Sequence, residues 1–267
     1  MSVLDSAGET RVTQKPNRLL ASWRSARLVA FTAAHYAHYR WKARGLSNEE
    51  QLVWAESRSC AWMKSCIALL KVDVTVHGDV PEKPLLLVPN HIGYIDILAL
   101  GSVARTFFVS KAEVETWPVI GHIFVAARQL SIPRGNRRAI QEVNERIGAR
   151  LLAGHSVCVF LEGTTSGGGD VLPFHGSLLQ SAIDTGIATM PVGIRWSSAD
   201  GAIDIDENVA YWKDHVFVSH LFGLLGMRGV RVTITFGDVV ATERSSDRKI
   251  LAAELKSCVV GLRETSD

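Results

Sequence analysis

What this 267-residue sequence lacks narrows its class first. Its four cysteines (Cys60, Cys66, Cys158 and Cys258) form no C-x-x-C pair and no regular framework. A disulfide scaffold is therefore excluded, and the thiols read as reduced and mostly buried in a protein facing the cytosol. There is no low-complexity tract and no internal repeat. Charged residues make up 21% against 47% hydrophobic, which excludes a disordered chain. In the aromatic N-terminal region the longest run free of strongly polar residues, Leu28 to Ala34, falls well short of the ~20 residues that cross a bilayer. Residues 1–17 are polar, without the apolar core of a signal peptide, so a frayed start is expected. The stretch Glu162 to Gly169 is glycine-rich but lacks the Gly-Lys pair of a Walker loop, and Gly154-His155-Ser156 lacks the later glycine of a nucleophile elbow.

The formal net charge of +2 conceals an asymmetry. Residues 1–44 hold eight Lys/Arg against Asp5 and Glu9, whereas the remaining 223 residues hold 21 basic and 25 acidic side chains. A basic end on a slightly acidic body implies an anionic partner for that end. No nucleic acid is expected, because neither zinc-finger spacing nor an aromatic-glycine RNA-binding signature accompanies the charge. A membrane lipid surface suits the segment better. From Arg18 to Arg44 there is no proline or glycine, and Trp23, Phe31, Tyr36, Tyr39 and Trp41 are mixed with Arg24, Arg27, Arg40 and Lys42. Rings of that kind sit at headgroup depth while the cations meet anionic lipid. A helix packed on the body of the protein is the other reading of the same stretch. His35 and His38 have no third ligand nearby, so no metal is expected.

Ser47 followed by Glu50 is a capping-box start for a second helix reaching about Leu70. Strands are expected at Val72–His77, Leu85–Val88, Arg105–Ser110, Arg128–Ile132, Ser156–Leu161, Ile187–Arg195 and Val230–Val240. Helical spacing follows Asn90 and recurs at Asn136–Ala153, Gly176–Thr185 and Ser246–Arg263. Pro191 implies that its strand is an edge or carries a bulge. Strands separated by helices indicate an α/β fold: a mixed, largely parallel sheet flanked by helices over residues 71–267. Residues 1–70 form an N-terminal basic, aromatic, helical extension that associates with membrane.

His91 and Asp96 are the only ionisable side chains between Leu85 and Leu100. They fall where a strand ends and a helix begins, the place where open α/β sheets keep their chemistry. On one continuous helix, positions five apart point about 140° away from each other. The pair can meet if His91 lies in the turn and Asp96 projects from the first turns of the helix. A carboxylate on one imidazole nitrogen orients the ring and strengthens the other nitrogen as a base. The alternative is a turn histidine beside an aspartate that stabilises a helix N-terminus. Arg134, between Pro133 and Gly135, suits forked contacts with phosphate, or is an exposed loop arginine. Glu162 ends an apolar strand, and Gly163, Thr164 and Thr165 after it offer backbone amides to an anion or a developing oxyanion. A glycine-rich turn capped by glutamate is the plainer reading.

Four stretches together resemble the glycerolipid acyltransferase family, with its PlsC-like bacterial 1-acyl-glycerol-3-phosphate acyltransferases. Asn90-His91 with Asp96 matches the N-H-x-x-x-x-D signature. Ile132-Pro133-Arg134 resembles the second block, and Phe160-Leu161-Glu162-Gly163-Thr164 matches F-P-E-G-T with leucine for proline. Ala188 to Val192 resembles the fourth block, and the likeness spans roughly residues 65–240. It implies that His91 is a general base on a lipid hydroxyl and that Asp96 orients it. Arg134 would anchor an anionic headgroup, while Asn90, Glu162, Gly163, Thr164 and Thr165 shape the acceptor site. The acyl group would come from acyl-CoA or an acyl carrier protein as co-substrate, with no other cofactor. The enzyme would lie peripheral or monotopic on the cytoplasmic face of the inner membrane. Thr165 stands where many members carry arginine, and Ser131 and Arg128 also depart from the second block. These departures keep two acceptors in view, 1-acyl-glycerol-3-phosphate giving phosphatidic acid, and lyso-ornithine lipid. A non-catalytic lipid-binding protein and a thioesterase are the readings from other classes.

Overall fold

The computed structural model describes residues 3–4, 10–11, 14–117, 120–133 and 137–264. Two short strands, β1 (Val3–Leu4) and β2 (Thr10–Arg11), pair antiparallel ahead of the first helix. Helix α1 (Arg18–Ala43) is capped by Asn17, whose Oδ1 accepts from the Leu20 N–H at 3.0 Å. Helix α2 (Asn48–Leu70) opens with the expected capping box: Glu50 N–H donates to Ser47 Oγ, and Ser47 N–H donates to Glu50 Oε2.

The body continues with β3 (Asp73–His77), β4 (Leu86–Pro89), α3 (Tyr94–Val103), β5 (Phe107–Lys111), α4 (Ile120–Ala126), β6 (Leu130–Ile132) and α5 (Arg137–Leu152). After these come β7 (Val157–Cys158), α6 (Gln180–Thr185), β8 (Thr189–Ser198), α7 (Ile205–Asn208), α8 (Phe217–Leu225), β9 (Val230–Phe236) and α9 (Arg248–Glu264). The seven-stranded sheet has the order β3-β9-β8-β4-β7-β5-β6. The five strands from β8 to β6 are parallel; β9 is antiparallel to β8, and β3 runs parallel to β9. The sheet is therefore mixed and largely parallel, with helices on both faces.

Strand β4 shows why both faces are covered. Alternate side chains of a strand point to opposite faces. Leu85 and Leu87 join a core with Met63, Ile67, Ile95 and Leu100, whereas Leu86 and Val88 join a second core with Ile147, Leu151 and Leu255. A strand buried on both sides reads as a continuous apolar run, which is what Leu85–Val88 is. Ala21 of α1 belongs to the first core, so the N-terminal helices share the hydrophobic interior of the sheet.

Three local expectations are refined. Pro191 does not lie on an edge, since β8 is flanked by β4 and β9. The ladder is irregular there instead: Thr189 bridges Val240 and Val192 pairs with Phe236, so two residues of β8 face three of the opposing chain. Arg128 adopts φ 52° in a turn, and its strand begins only at Leu130. Arg24 is 1% exposed rather than interfacial, and its guanidinium donates to Leu225 O and Met227 O at 3.0 and 2.7 Å. Its pKa is lowered by burial and by nearby Arg228. The opposite side of α1 leaves Leu19, Trp23, Val29 and Trp41 open to solvent, Trp41 by 68%. One side of the helix is therefore packed on the body, and another carries exposed apolar side chains.

Candidate active site

His91 lies in the turn between β4 and α3, and Asp96 in the first turn of α3. Separating the two residues between turn and helix brings them together: His91 Nδ1 is 2.9 Å from Asp96 Oδ2. The same oxygen accepts the N–H of Ile92 at 2.7 Å and of Gly93 at 3.0 Å. Oδ1 accepts the indole N–H of Trp196 at 2.7 Å. Asp96 is fully buried, and every neighbour that reaches it is a donor. The carboxylate acts as acceptor throughout, which places the hydrogen on His91 Nδ1 and the lone pair on Nε2.

The ring of His91 stacks on Phe160, with centroids 3.8 Å apart. Its backbone is clamped from the loop after β7. The His91 N–H donates to Glu162 Oε1 at 2.6 Å, and His91 O accepts the Ser166 N–H at 2.9 Å. Glu162 Oε2 accepts the Leu172 N–H at 2.9 Å. Burial raises the pKa of Glu162, opposed by these two backbone donors and by His91. Gly93 is required by close approach, because a Cβ there would lie 2.8 Å from the Tyr211 nitrogen. That nitrogen donates to Ile92 O and closes the turn from the other side.

His91 opens onto a cavity of about 1,520 Å³ with mostly apolar walls. Gly163, Thr164, Thr165 and His175 line it near His91, and Tyr94, Leu98, Met63, Cys66 and Phe108 continue its wall. Of the residues expected in the site, the structure thus brings His91 and Asp96 into contact and puts Gly163, Thr164 and Thr165 on the cavity wall. Glu162 stands behind His91, 3% exposed, with both oxygens engaged by backbone. Asn90 is 2% exposed, and its amide splices the end of β4 to β8 by donating to Ile194 O and accepting from Ile194 N–H. Arg134 lies outside the described residues, while Ile132 and Pro133 before it line the cavity. Among the described residues, no three His, Cys, Asp or Glu side chains converge as a metal cage.

Sequence reasoning missed Trp196, His175 and Lys111. Trp196 lies a hundred residues from Asp96 and meets it only through the pairing of β4 with β8. The available signal was chemical: an indole N–H in a buried strand needs an acceptor. Lys111, at the end of β5, is an exposed cation on the cavity wall.

A family model described as Acyltransferase matches residues 71–195. The chain is 35% identical over 219 residues to a lyso-ornithine lipid O-acyltransferase of Pseudomonas aeruginosa, covering 79% of this chain and 82% of that protein. It is 30% identical over 198 residues to a 1-acyl-sn-glycerol-3-phosphate acyltransferase of Neisseria gonorrhoeae, covering 73% and 76%. The crystal structure of the 1-acyl-sn-glycerophosphate acyltransferase PlsC from Thermotoga maritima superposes with a TM-score of 0.68 at 20% identity, over 93% of this chain and 95% of that one.

The Asp96 arrangement is testable without any substrate. Trp196→Phe removes one charge-assisted hydrogen bond from a buried carboxylate and should lower unfolding free energy by about 1–3 kcal/mol. It should also move the downfield NMR resonance of the His91 Nδ1 proton. Unchanged stability together with an unmoved proton would show that Asp96 is held without the indole.

Proposed function

The chain belongs to the acyltransferase family, and on that premise we propose that it transfers a fatty acyl group from an acyl thioester to the free hydroxyl of a lysolipid. The observation that carries this is the His91–Asp96 pair, held at 2.9 Å with its imidazole on the wall of a long apolar cavity. In the proposed step, Nε2 of His91 takes the proton of the acceptor hydroxyl as its oxygen attacks the thioester carbon. The C–S bond then breaks, and the imidazolium returns the proton to the departing thiolate. Asp96 stabilises the imidazolium between these events. Gly163 and Thr164 shape the wall beside the developing oxyanion, and Glu162 and Asn90 hold the backbone that carries His91. The donor is acyl-CoA or acyl carrier protein.

The acceptor we assign is 1-acyl-glycerol-3-phosphate, giving phosphatidic acid, with Arg134 anchoring its headgroup. Thr165, uncharged on the cavity wall, favours lyso-ornithine lipid as the second acceptor, as does the likeness to the lyso-ornithine lipid O-acyltransferase of Pseudomonas aeruginosa. Mass spectrometry of products from a panel of lyso-acceptors with both donors separates the two.

The exposed Leu19, Trp23, Val29 and Trp41 of α1, beside Arg27, Arg40 and Lys42, support peripheral docking on anionic lipid at the cytoplasmic face of the inner membrane. Among the described residues, no helix is long and apolar enough to cross a membrane.

His91→Ala should reduce lysolipid-dependent thiol release from the acyl thioester by about 10²–10⁴-fold, with the fold intact. Wild-type turnover in that variant would refute the mechanism. Thiol release without any acceptor would instead identify a hydrolase, and none under any condition a lipid-binding protein. Arg134→Ala should raise KM for an anionic acceptor while leaving kcat nearly unchanged; an unaltered KM across acceptors removes its role. Trp23→Ser with Trp41→Ser should weaken sedimentation with anionic vesicles without lowering thermal stability. Undiminished binding would take α1 off the lipid surface.

A further inference from the structure

We propose that the end of the cavity farthest from His91 binds a long-chain carboxylate, its headgroup on Arg58 and its chain in the apolar space leading back to His91. Arg58 and Ser59 of α2 line the cavity together with His35, Tyr36 and Tyr39 of α1. This end lies at the start of the parallel strands, because Tyr39 and Ala55 cluster with Phe107, the first residue of β5. His91 follows the opposite end of β4, roughly 15 Å away across a sheet whose strands rise about 3.3 Å per residue.

The chemistry here is one-sided. Arg58 has His35 Nδ1 as a polar partner at 2.9 Å and stands over the Trp54 ring at 5.5 Å. Burial, then Arg58 and His38, lower the pKa of His35, so it remains a neutral acceptor and leaves the guanidinium charge uncompensated. Glu56, the nearest acid in sequence, is committed to His155 at 3.2 Å. Among the described residues no carboxylate lies within ion-pair distance of Arg58. A cation without a carboxylate partner on an apolar wall is unfavourable until an oxyanion meets it.

The rest of the chamber dictates what carries that oxyanion. Met63, Cys66, Leu98, Phe108 and Ile123 give it apolar walls, so the ligand is an amphiphile with an aliphatic chain. A guanidinium fork matches the two coplanar oxygens of a carboxylate. One cation balances one negative charge. Among the described residues the other Lys or Arg on the cavity wall is Lys111, at the far end of β5, so a phosphate monoester dianion finds no second cation of theirs beside Arg58. A carboxylate seated here fills space reached from His91 and competes with the chain of a donor. Its binding requires no acyl transfer.

The test is isothermal titration calorimetry on the full chain with laurate, methyl laurate and dodecyl phosphate. Arg58→Met should weaken laurate about 10- to 100-fold, in keeping with loss of a charge-assisted contact. Arg58→Lys should fall between wild type and Arg58→Met. Methyl laurate should bind wild type and Arg58→Met alike and weakly. Equal laurate affinity in wild type and Arg58→Met overturns the proposal, as does methyl laurate binding wild type as tightly as laurate. Tighter, Arg58-dependent dodecyl phosphate binding overturns the carboxylate and points to a phosphate headgroup. If melting shows that Arg58→Met fails to fold, Arg58→Lys and the acid-against-ester comparison decide the matter. Calorimetry reads binding alone, so its outcome stands apart from whether a lysolipid is acylated.

Discussion

Everything around the site depends on one buried carboxylate. Asp96 gathers donors from His91, from two successive backbone amides of the turn, and from an indole on a neighbouring strand. A charge in a dry interior is tolerable only when its lone pairs are occupied, and four N–H groups occupy them here. The same contacts fix the turn after β4, the entry of α3 and the position of β8 relative to both. Catalytic orientation and structural satisfaction are therefore one arrangement, and the His91 ring inherits its direction from groups needed to bury Asp96 at all.

Around that carboxylate, the loop after β7 acts as a second brace. Glu162 and Ser166 grip the two backbone polar groups of His91, while Phe160 covers one face of its ring. Arg263 of α9 in turn donates to the carbonyls of Gly168 and Gly169, tying the glycine-rich run to the last helix. Flexibility at Gly163, with φ 67°, allows the chain to turn sharply enough for Thr164 and Thr165 to reach the cavity. The loop is rigid where it supports His91 and bends where it faces the chamber.

Much of this was legible in the sequence because it is local. The capping box at Ser47, the buried run Leu85–Val88 and the His91-to-Asp96 spacing each declare their geometry within a few residues. The strand end carrying Pro133 also fell where periodicity put it, whereas β7 ends at Cys158, short of Leu161, and Glu162 stands in the loop after it. What was not legible depends on pairing across the sheet. Nothing near Asn90 announces that its amide serves Ile194, and nothing near Asp96 announces Trp196. Pro191 left an edge and a bulge both open because the rule considers one strand alone; the pairing puts it in the interior, with an extra residue on the opposing chain. Arg24 read as an interfacial cation from its neighbours in sequence, but its partners lie at the end of α8 and just beyond it.

That long reach of Arg24 has a consequence in time. Its carbonyl partners stand 201 and 203 residues further along the chain. With synthesis at about 5–20 residues per second, they follow on the order of 10–40 s behind the helix that needs them. For that interval α1 can pack against α2, but the carbonyls that bury its guanidinium are missing. Assembly of the chamber is thus timed by the arrival of residues 225–227, and a helix made some two hundred residues earlier is fully seated only then.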